Sequence, residues 1–130
     1  MTRKSDIGLI GLAVMGENLA LNMERNGFQV SVYNRAEGAE AHVVEHFLSG
    51  RPEGKRFLGF TDLKPFVESI EPPRKIMMMI RAGKPVDSVI DALLPYLEEG
   101  DIIIDGGNSN WEDSERREAS LRAHGVYFVG

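Results

Sequence analysis

The stretch DIGLIGLAVMGENLALNMERNG, residues 6–27, organises the rest of the chain. Its apolar residues first form a short continuous run that ends at Gly11. Behind that glycine, apolar residues recur at helical spacing until Asn26 and Gly27 interrupt the pattern. The stretch therefore predicts a strand, a tight turn and a helix in direct succession.

Six residues make up the predicted turn, namely Gly11, Leu12, Ala13, Val14, Met15 and Gly16. Glycine at 11 permits a sharp exit from the strand, a small residue at 13 permits close approach of a ligand, and Gly16 permits close packing of the helix. The first N–H groups of a helix are unpaired and lie at its positive end, so we expect a pyrophosphate here. The same glycines are also compatible with packing alone.

A second strand supports the ligand-binding interpretation. The apolar run from Val30 to Tyr33 follows the helix at once and ends in Asn34-Arg35. In dinucleotide folds, the residue that contacts the adenosine ribose lies about 20 residues beyond the glycine turn, close to this position. A strand, helix and strand of about 30 residues is the expected nucleotide-binding unit.

Composition limits the class of protein. With 130 residues, 42% of them apolar and 27% charged, the chain has room for one domain over residues 1–130. A net charge of −5 argues against nucleic-acid or membrane-surface binding. Cysteine is absent, and the residues before the first strand contain no apolar segment long enough for a signal peptide or membrane span. We therefore expect a cytoplasmic protein with no nucleic-acid or membrane partner.

The remaining periodicity predicts alternating strands and helices. Further helices are predicted over 36–49, 63–70, 86–97 and from Ser109 onward, further strands over 56–60, 75–80, 101–105 and 127–129, and a loop over 50–55. Pro95 should kink the fourth helix, and the last helix has a capping-box pattern from Ser109 to Glu112. Three i, i+4 charge pairs mark that helix as largely solvated, namely Glu112 with Arg116, Asp113 with Arg117 and Glu118 with Arg122. The α/β pattern specifies a Rossmann-type, doubly wound parallel sheet of six strands in the order 3-2-1-4-5-6.

In such a sheet, ligands bind where the strands end, and the residues there indicate the nucleotide. An NAD site places an acidic side chain after the second strand, whereas this chain has neutral Asn34 followed by Arg35. A guanidinium can pair with a 2′-phosphate, so the pair favours NADP over NAD. The alternative is that Asn34-Arg35 forms an ordinary polar turn.

The chain resembles the 6-phosphogluconate dehydrogenase family, which oxidises and decarboxylates 6-phosphogluconate in the pentose phosphate pathway. The resemblance is carried by GLAVMG at 11–16, GF-V-VYNR at 27–35, RAGKPVD at 81–87, and IIIDGGNS at 102–109 with D-S-x-R-R at 113–117. IIIDGGNS discriminates best, because related β-hydroxyacid dehydrogenases differ after the fifth strand.

The resemblance implies NADP contacts from the six turn residues and from Asn34, Arg35, Ala36, Ile80, Arg81, Ala82 and Asn108. Asn108 is also implied to lie beside the substrate, although capping of the last helix is an alternative role for it. Two residues depart from the family pattern: Ala36 stands where Thr or Ser is usual, and Arg81 stands where Lys is usual.

The resemblance also implies that part of the machinery is missing. In the family, a serine- and glycine-rich substrate loop follows the sixth strand, and a large helical domain supplies the lysine base, the glutamate acid and most contacts of a homodimer. We therefore expect no catalytic residue within these 130 residues and no turnover of 6-phosphogluconate, which the full-length parent would convert to ribulose 5-phosphate with formation of NADPH. The other hypotheses are the coenzyme domain of another β-hydroxyacid dehydrogenase and a non-catalytic nucleotide sensor.

Two groups of side chains resemble metal or redox sites, but solvation and core packing explain them better. His42 and His46 lie four residues apart on the second helix without an evident third ligand, so we predict no metal site. Three methionines, Met77 to Met79, alternate between the two faces of a strand and are expected to pack in the core.

Overall fold

Six strands alternate with five α-helices in the computed structural model, which describes residues 3–49 and 56–130. The elements are β1 (Ile7–Ile10), α1 (Val14–Arg25), β2 (Val30–Tyr33), α2 (Val43–Ser49), β3 (Phe57–Phe60), α3 (Leu63–Glu68), β4 (Lys75–Met78), α4 (Lys84–Leu93), β5 (Ile102–Asp105), α5 (Trp111–Arg122) and β6 (Tyr127–Val129). Short 3₁₀ helices occupy Gly38–Glu40 and Leu94–Tyr96. The loop predicted over 50–55 lies outside the described residues.

All strand pairs of the sheet are parallel, and the strand order is β3-β2-β1-β4-β5-β6. The prediction of a Rossmann-type, doubly wound sheet is therefore confirmed. β1 pairs with β2 on one side and with β4 on the other, so the chain reverses its direction of winding between β1 and β4. Ligands of such sheets bind in the crevice at this switch point.

Two hydrophobic clusters form the core. Successive strand residues face opposite sides, so Leu9 belongs to one cluster and Ile10 to the other. The Leu9 cluster includes residues of α1 and α2, whereas the Ile10 cluster includes residues of α3, α4 and α5. Met78 and Met79 likewise contact different clusters, as their alternation predicted. No helix among residues 3–49 and 56–130 is both long and apolar enough to cross a membrane.

Several boundaries differ from the sequence predictions, and the start of the second helix differs most. The second helix was predicted to begin at Ala36, but it begins at Val43, because Gly38 has a φ of 56° that an α-helix does not accommodate. β4 ends at Met78 instead of Ile80. Pro95 has no N–H to continue α4, and the chain tightens there into the 3₁₀ helix.

The cap of α5 is Asn110, so the prediction of a capping box from Ser109 to Glu112 is wrong. The Asn110 side chain accepts a hydrogen bond of 2.9 Å from the backbone N–H of Asp113. Ser109 instead donates its hydroxyl hydrogen to Asp105, at the end of β5. The loop turns Ser109 towards the sheet and leaves the next residue at the start of the helix.

The charge pairs predicted on α5 are also only partly correct. Arg122 pairs with Glu118 as expected. Arg116 pairs with Asp113 and with Asp87 of α4 instead of Glu112. The third arginine, Arg117, is buried and therefore does not belong to the solvated face.

We expect Asn110→Ala to lower the free energy of unfolding by about 1 kcal/mol, because a helix N-cap bond is lost. Urea unfolding measures the change. Glu112→Ala is the matched control, because a capping box would require the Glu112 side chain. With the observed cap at Asn110, Glu112→Ala should lower the free energy of unfolding by only a few tenths of a kcal/mol, roughly the size of a helix-dipole effect. Equal losses in the two variants would contradict the assignment of the cap to Asn110.

Candidate functional site

The glycine turn between β1 and α1 is closely packed. Gly11 has a φ of 102°, and a Cβ there would overlap the carbonyl oxygen of Met79 beyond β4. A Cβ at Gly16 would overlap the carbonyl oxygen of Gly11. Glycine is therefore required at both positions for the turn to close, independently of any ligand.

The start of α1 faces outward from this turn. Ala13 is the N-terminal flanking residue, and no side chain caps the helix. Val14 and Met15 expose 74% and 72% of their surface. Because the first amides of a helix lack intrahelical partners, this end offers N–H donors and a positive dipole to an anion. A pyrophosphate at this end stays a prediction.

Asn34 links the turn to the end of β2. Its Oδ1 accepts a hydrogen bond of 2.9 Å from the backbone N–H of Leu12, and its Nδ2 donates to Glu40 at 2.7 Å and to the carbonyl oxygen of Arg35 at 3.0 Å. The residue is buried. Asn34 thus holds the glycine turn in place, a role that local sequence patterns do not indicate because the bond joins residues 22 positions apart.

Arg35 lies at the surface next to this turn, with 63% of its side chain exposed. Its Nε donates a hydrogen bond of 2.9 Å to Oε1 of Glu40, while its two terminal nitrogens form no hydrogen bond within the described part of the chain. Hydrogen bonds from Asn34 and Arg35 hold the pKa of Glu40 below its usual value, and Glu40 raises the pKa of Arg35. Ala36 is exposed beside them and has no polar side-chain atom.

The loop after β4 lies between the glycine turn and the loop after β5. The N–H of Met79 donates to the carbonyl oxygen of Ile10 at 2.7 Å. A Cβ on Gly107 would lie 2.9 Å from the carbonyl oxygen of Ile80. The Ile80 carbonyl therefore lies close to Gly107, which places Ile80, followed by Arg81 and Ala82, at the strand ends, as predicted from the sequence. The Arg81 side chain is exposed.

The loop after β5 is shaped by the buried carboxylate of Asp105. It accepts hydrogen bonds from the Gly107 N–H at 3.0 Å and from the hydroxyl of Ser109. Asn108 lies between these two residues with an exposed side chain that forms no hydrogen bond to the described residues. Since Asn110 caps α5, the alternative of a capping role for Asn108 is wrong. Its amide remains available to a ligand.

Arg117 holds this loop against α4. The side chain is only 2% exposed, and it donates to Asp87 at 2.8 Å, to the Ser109 hydroxyl at 3.2 Å and to the carbonyl oxygen of Gly83 at 3.2 Å. The i, i+4 charge pattern predicts Arg117 on the solvated face of α5, and this prediction is wrong. Nothing in the helical spacing distinguishes it from exposed Arg116, because its partners come from other segments, namely α4 with the residue before it and the loop after β5.

A cleft of about 350 Å³ opens beside Leu12, between Glu17 of α1 and the segment 38–47. His42 and His46 line it, and His42 lies 3.2 Å from Glu45. Among residues 3–49 and 56–130, no group of three or more His, Asp or Glu side chains is arranged to hold a metal ion.

The fold and this site define a class: a dinucleotide-binding Rossmann domain, with the glycine turn at its switch point. A family model for the NAD binding domain of 6-phosphogluconate dehydrogenase matches residues 6–130. The chain belongs to the 6-phosphogluconate dehydrogenase family.

Relatives of known identity agree with this assignment. The chain is 54% identical over 126 residues to the decarboxylating 6-phosphogluconate dehydrogenase of Treponema pallidum, covering 97% of this chain and 25% of the relative. It is 55% identical over 130 residues to the decarboxylating 6-phosphogluconate dehydrogenase of Chlamydia trachomatis, covering 100% of this chain and 26% of the relative. The structure of Plasmodium falciparum 6-phosphogluconate dehydrogenase, studied with its cofactor NADP+ and its substrate 6-phosphogluconate, superposes with a TM-score of 0.82 at 38% identity, over 96% of this chain and 26% of that one. The chain thus spans about a quarter of the length of these relatives.

The Asp87–Arg117 ion pair predicts a pH dependence. Hydrogen bonding from Arg117, and then from Arg116, holds the pKa of Asp87 below its usual value. A carboxylate with a lowered folded pKa stabilises the fold above its unfolded pKa of about 3.9, and this contribution is lost as pH falls through the lower folded pKa. Asp87→Asn should therefore lower the free energy of unfolding at pH 7, and its difference from the unaltered chain should shrink below about pH 4.

Urea unfolding at pH 7 and at acid pH measures this difference. Asp91→Asn is the control, because it removes an exposed carboxylate one turn later in α4 that has no ion pair among the described residues. It should lower the free energy of unfolding at pH 7 by less than Asp87→Asn does. A loss for Asp87→Asn that is independent of pH would contradict the assignment.

Proposed function

We propose that this chain binds NADP as the coenzyme domain, residues 1–130, of a decarboxylating 6-phosphogluconate dehydrogenase. The observation that carries the proposal is Arg35 at the end of β2, with its two terminal nitrogens free of bonds to the described residues and the glycine turn held beside it by Asn34. A planar guanidinium can pair with a 2′-phosphate through two parallel hydrogen bonds. The family relationship supports the same coenzyme, since NADP+ is the cofactor of the Plasmodium falciparum relative.

Each part of the dinucleotide has a candidate position along the strand ends. Arg35 and Ala36 would hold the adenosine ribose and its 2′-phosphate, and the turn from Gly11 to Gly16 would hold the pyrophosphate at the start of α1. The loop of Ile80, Arg81 and Ala82 would line the crevice between the two halves. Asn108 would contact the nicotinamide ribose or the substrate, because its amide offers both a donor and an acceptor.

The proposed reaction is oxidation and decarboxylation of 6-phosphogluconate to ribulose 5-phosphate, in the cytoplasm and in a homodimer of the full-length parent. Bound NADP supplies the hydride acceptor. The described residues contribute binding and orientation. The base for the substrate hydroxyl and the acid are expected outside residues 1–130, as the family resemblance implies.

Arg35→Ala should reduce the affinity ratio of NADP over NAD by at least about tenfold, because a charge-assisted phosphate contact is lost. Calorimetric titration of each coenzyme into the chain measures the ratio. Arg122→Ala is the control, since Arg122 is also an exposed arginine paired with a glutamate but lies at the far end of α5. An unchanged ratio in Arg35→Ala would rule out a contact between Arg35 and the 2′-phosphate.

Asn108→Ala should weaken NADPH binding several-fold, roughly the loss of one hydrogen bond, and leave the melting temperature unchanged. Coenzyme fluorescence and thermal unfolding measure the two effects. Asn110→Ala should show the opposite pattern, because its side chain caps α5. If Asn108→Ala melts early and binds coenzyme normally, Asn108 is a structural residue and the site assignment is wrong.

A further inference from the structure

Glu40 is an acidic side chain at the end of β2 that the sequence does not place there. It follows Arg35 by five residues, beyond the position where an NAD site has its acid. The reversal of the chain at Gly38 returns it to the strand end, where Oε1 accepts from Arg35 at 2.9 Å and Oε2 accepts from Asn34 at 2.7 Å. Its side chain is 38% exposed and can be reached by a ligand.

We propose that Glu40 is a specificity-determining residue that lowers the ratio of NADP affinity to NAD affinity. The inference rests on the proposed coenzyme function and concerns the same end of the site. It assigns to the chain a mixed recognition element, in which the cation Arg35 favours a 2′-phosphate and the carboxylate of Glu40 favours a free ribose.

The charge of Glu40 opposes the 2′-phosphate directly. Hydrogen bonds from Asn34 and Arg35 hold its pKa below the usual value, so the carboxylate stays ionised at neutral pH. A phosphate that pairs with Arg35 is therefore brought near a second anion. Residues 35–40 contain one arginine and two glutamates, which gives this segment a formal charge of −1.

The hydrogen bonds of Glu40 also bear on the binding of both NADP and NAD. Arg35 already donates its Nε hydrogen to Glu40, so only its terminal nitrogens can pair with a phosphate unless this bond opens. Conversely, a carboxylate at the end of β2 can accept hydrogen bonds from the ribose hydroxyls of NAD, as acidic residues do in NAD sites. Ala36 and Ala39 add no side-chain donor for a phosphate.

The test is titration of NADP and NAD into the chain and into Glu40→Gln. The substitution removes the charge and preserves the size of the side chain, so the ratio of NADP to NAD affinity should rise by about tenfold, the size of one charge-assisted contact. Glu37→Gln is the matched control: it makes the same charge change three residues earlier, at an exposed side chain with no hydrogen bond to the described residues. Its ratio should change by less than about threefold, as expected for a screened surface charge.

The outcomes separate this inference from the proposed function. If the unaltered, folded chain binds neither coenzyme, the proposed function fails and the inference fails with it. If it binds them and Glu40→Gln leaves the ratio unchanged, or Glu37→Gln raises it equally, the assignment of Glu40 is overturned while coenzyme binding stands. Circular dichroism checks that Glu40→Gln is folded. If it is not, Glu40→Ala repeats the measurement, and an unchanged ratio there overturns the assignment as well.

Discussion

The hydrogen bond from the Leu12 N–H to the side chain of Asn34 is the contact on which the site depends. It is buried, and it joins the glycine turn after β1 to the end of β2. The other side of the same amide donates to Glu40, which in turn accepts from Arg35. One side chain therefore positions the turn proposed for the pyrophosphate and the cation proposed for the 2′-phosphate relative to each other. An unpaired buried N–H would be costly, which explains why an acceptor is needed at this position.

At the other end of the row of strand ends, charged side chains hold the loop after β5 in place. Asp105 shapes the loop that carries Asn108, and Arg117 fastens that loop to Asp87 on α4. Between the two ends, the loop after β4 contacts Gly11 on one side and Gly107 on the other. The site is thus a row of three loops, each fixed by backbone or buried polar contacts, and its exposed side chains are those that would meet a ligand.

The architecture was predictable because it follows from short-range patterns. Apolar runs and helical stripes gave the order of strands and helices, and the right-handed crossover rule then limited the sheet to the observed order. Boundaries were less accurate where backbone geometry overrode side-chain periodicity, as at Gly38, or where two adjacent polar residues competed for one cap, as Asn110 and Ser109 did. The family, too, could be recognised from local motifs, because GLAVMG and IIIDGGNS keep their spacing in the sequence.

The sequence by itself determined the fold, the family and the segments that form the strand ends, since each depends on residues that are close together in the chain. Only the tertiary structure decided what individual polar side chains do there. Asn34 supports the turn, Arg117 is buried while Arg116 is exposed, and Glu40 returns to the end of β2. These roles depend on partners from other elements, between 5 and 34 residues away. The burial and hydrogen bonding of these polar side chains are set by those neighbours, which helical or strand periodicity does not identify.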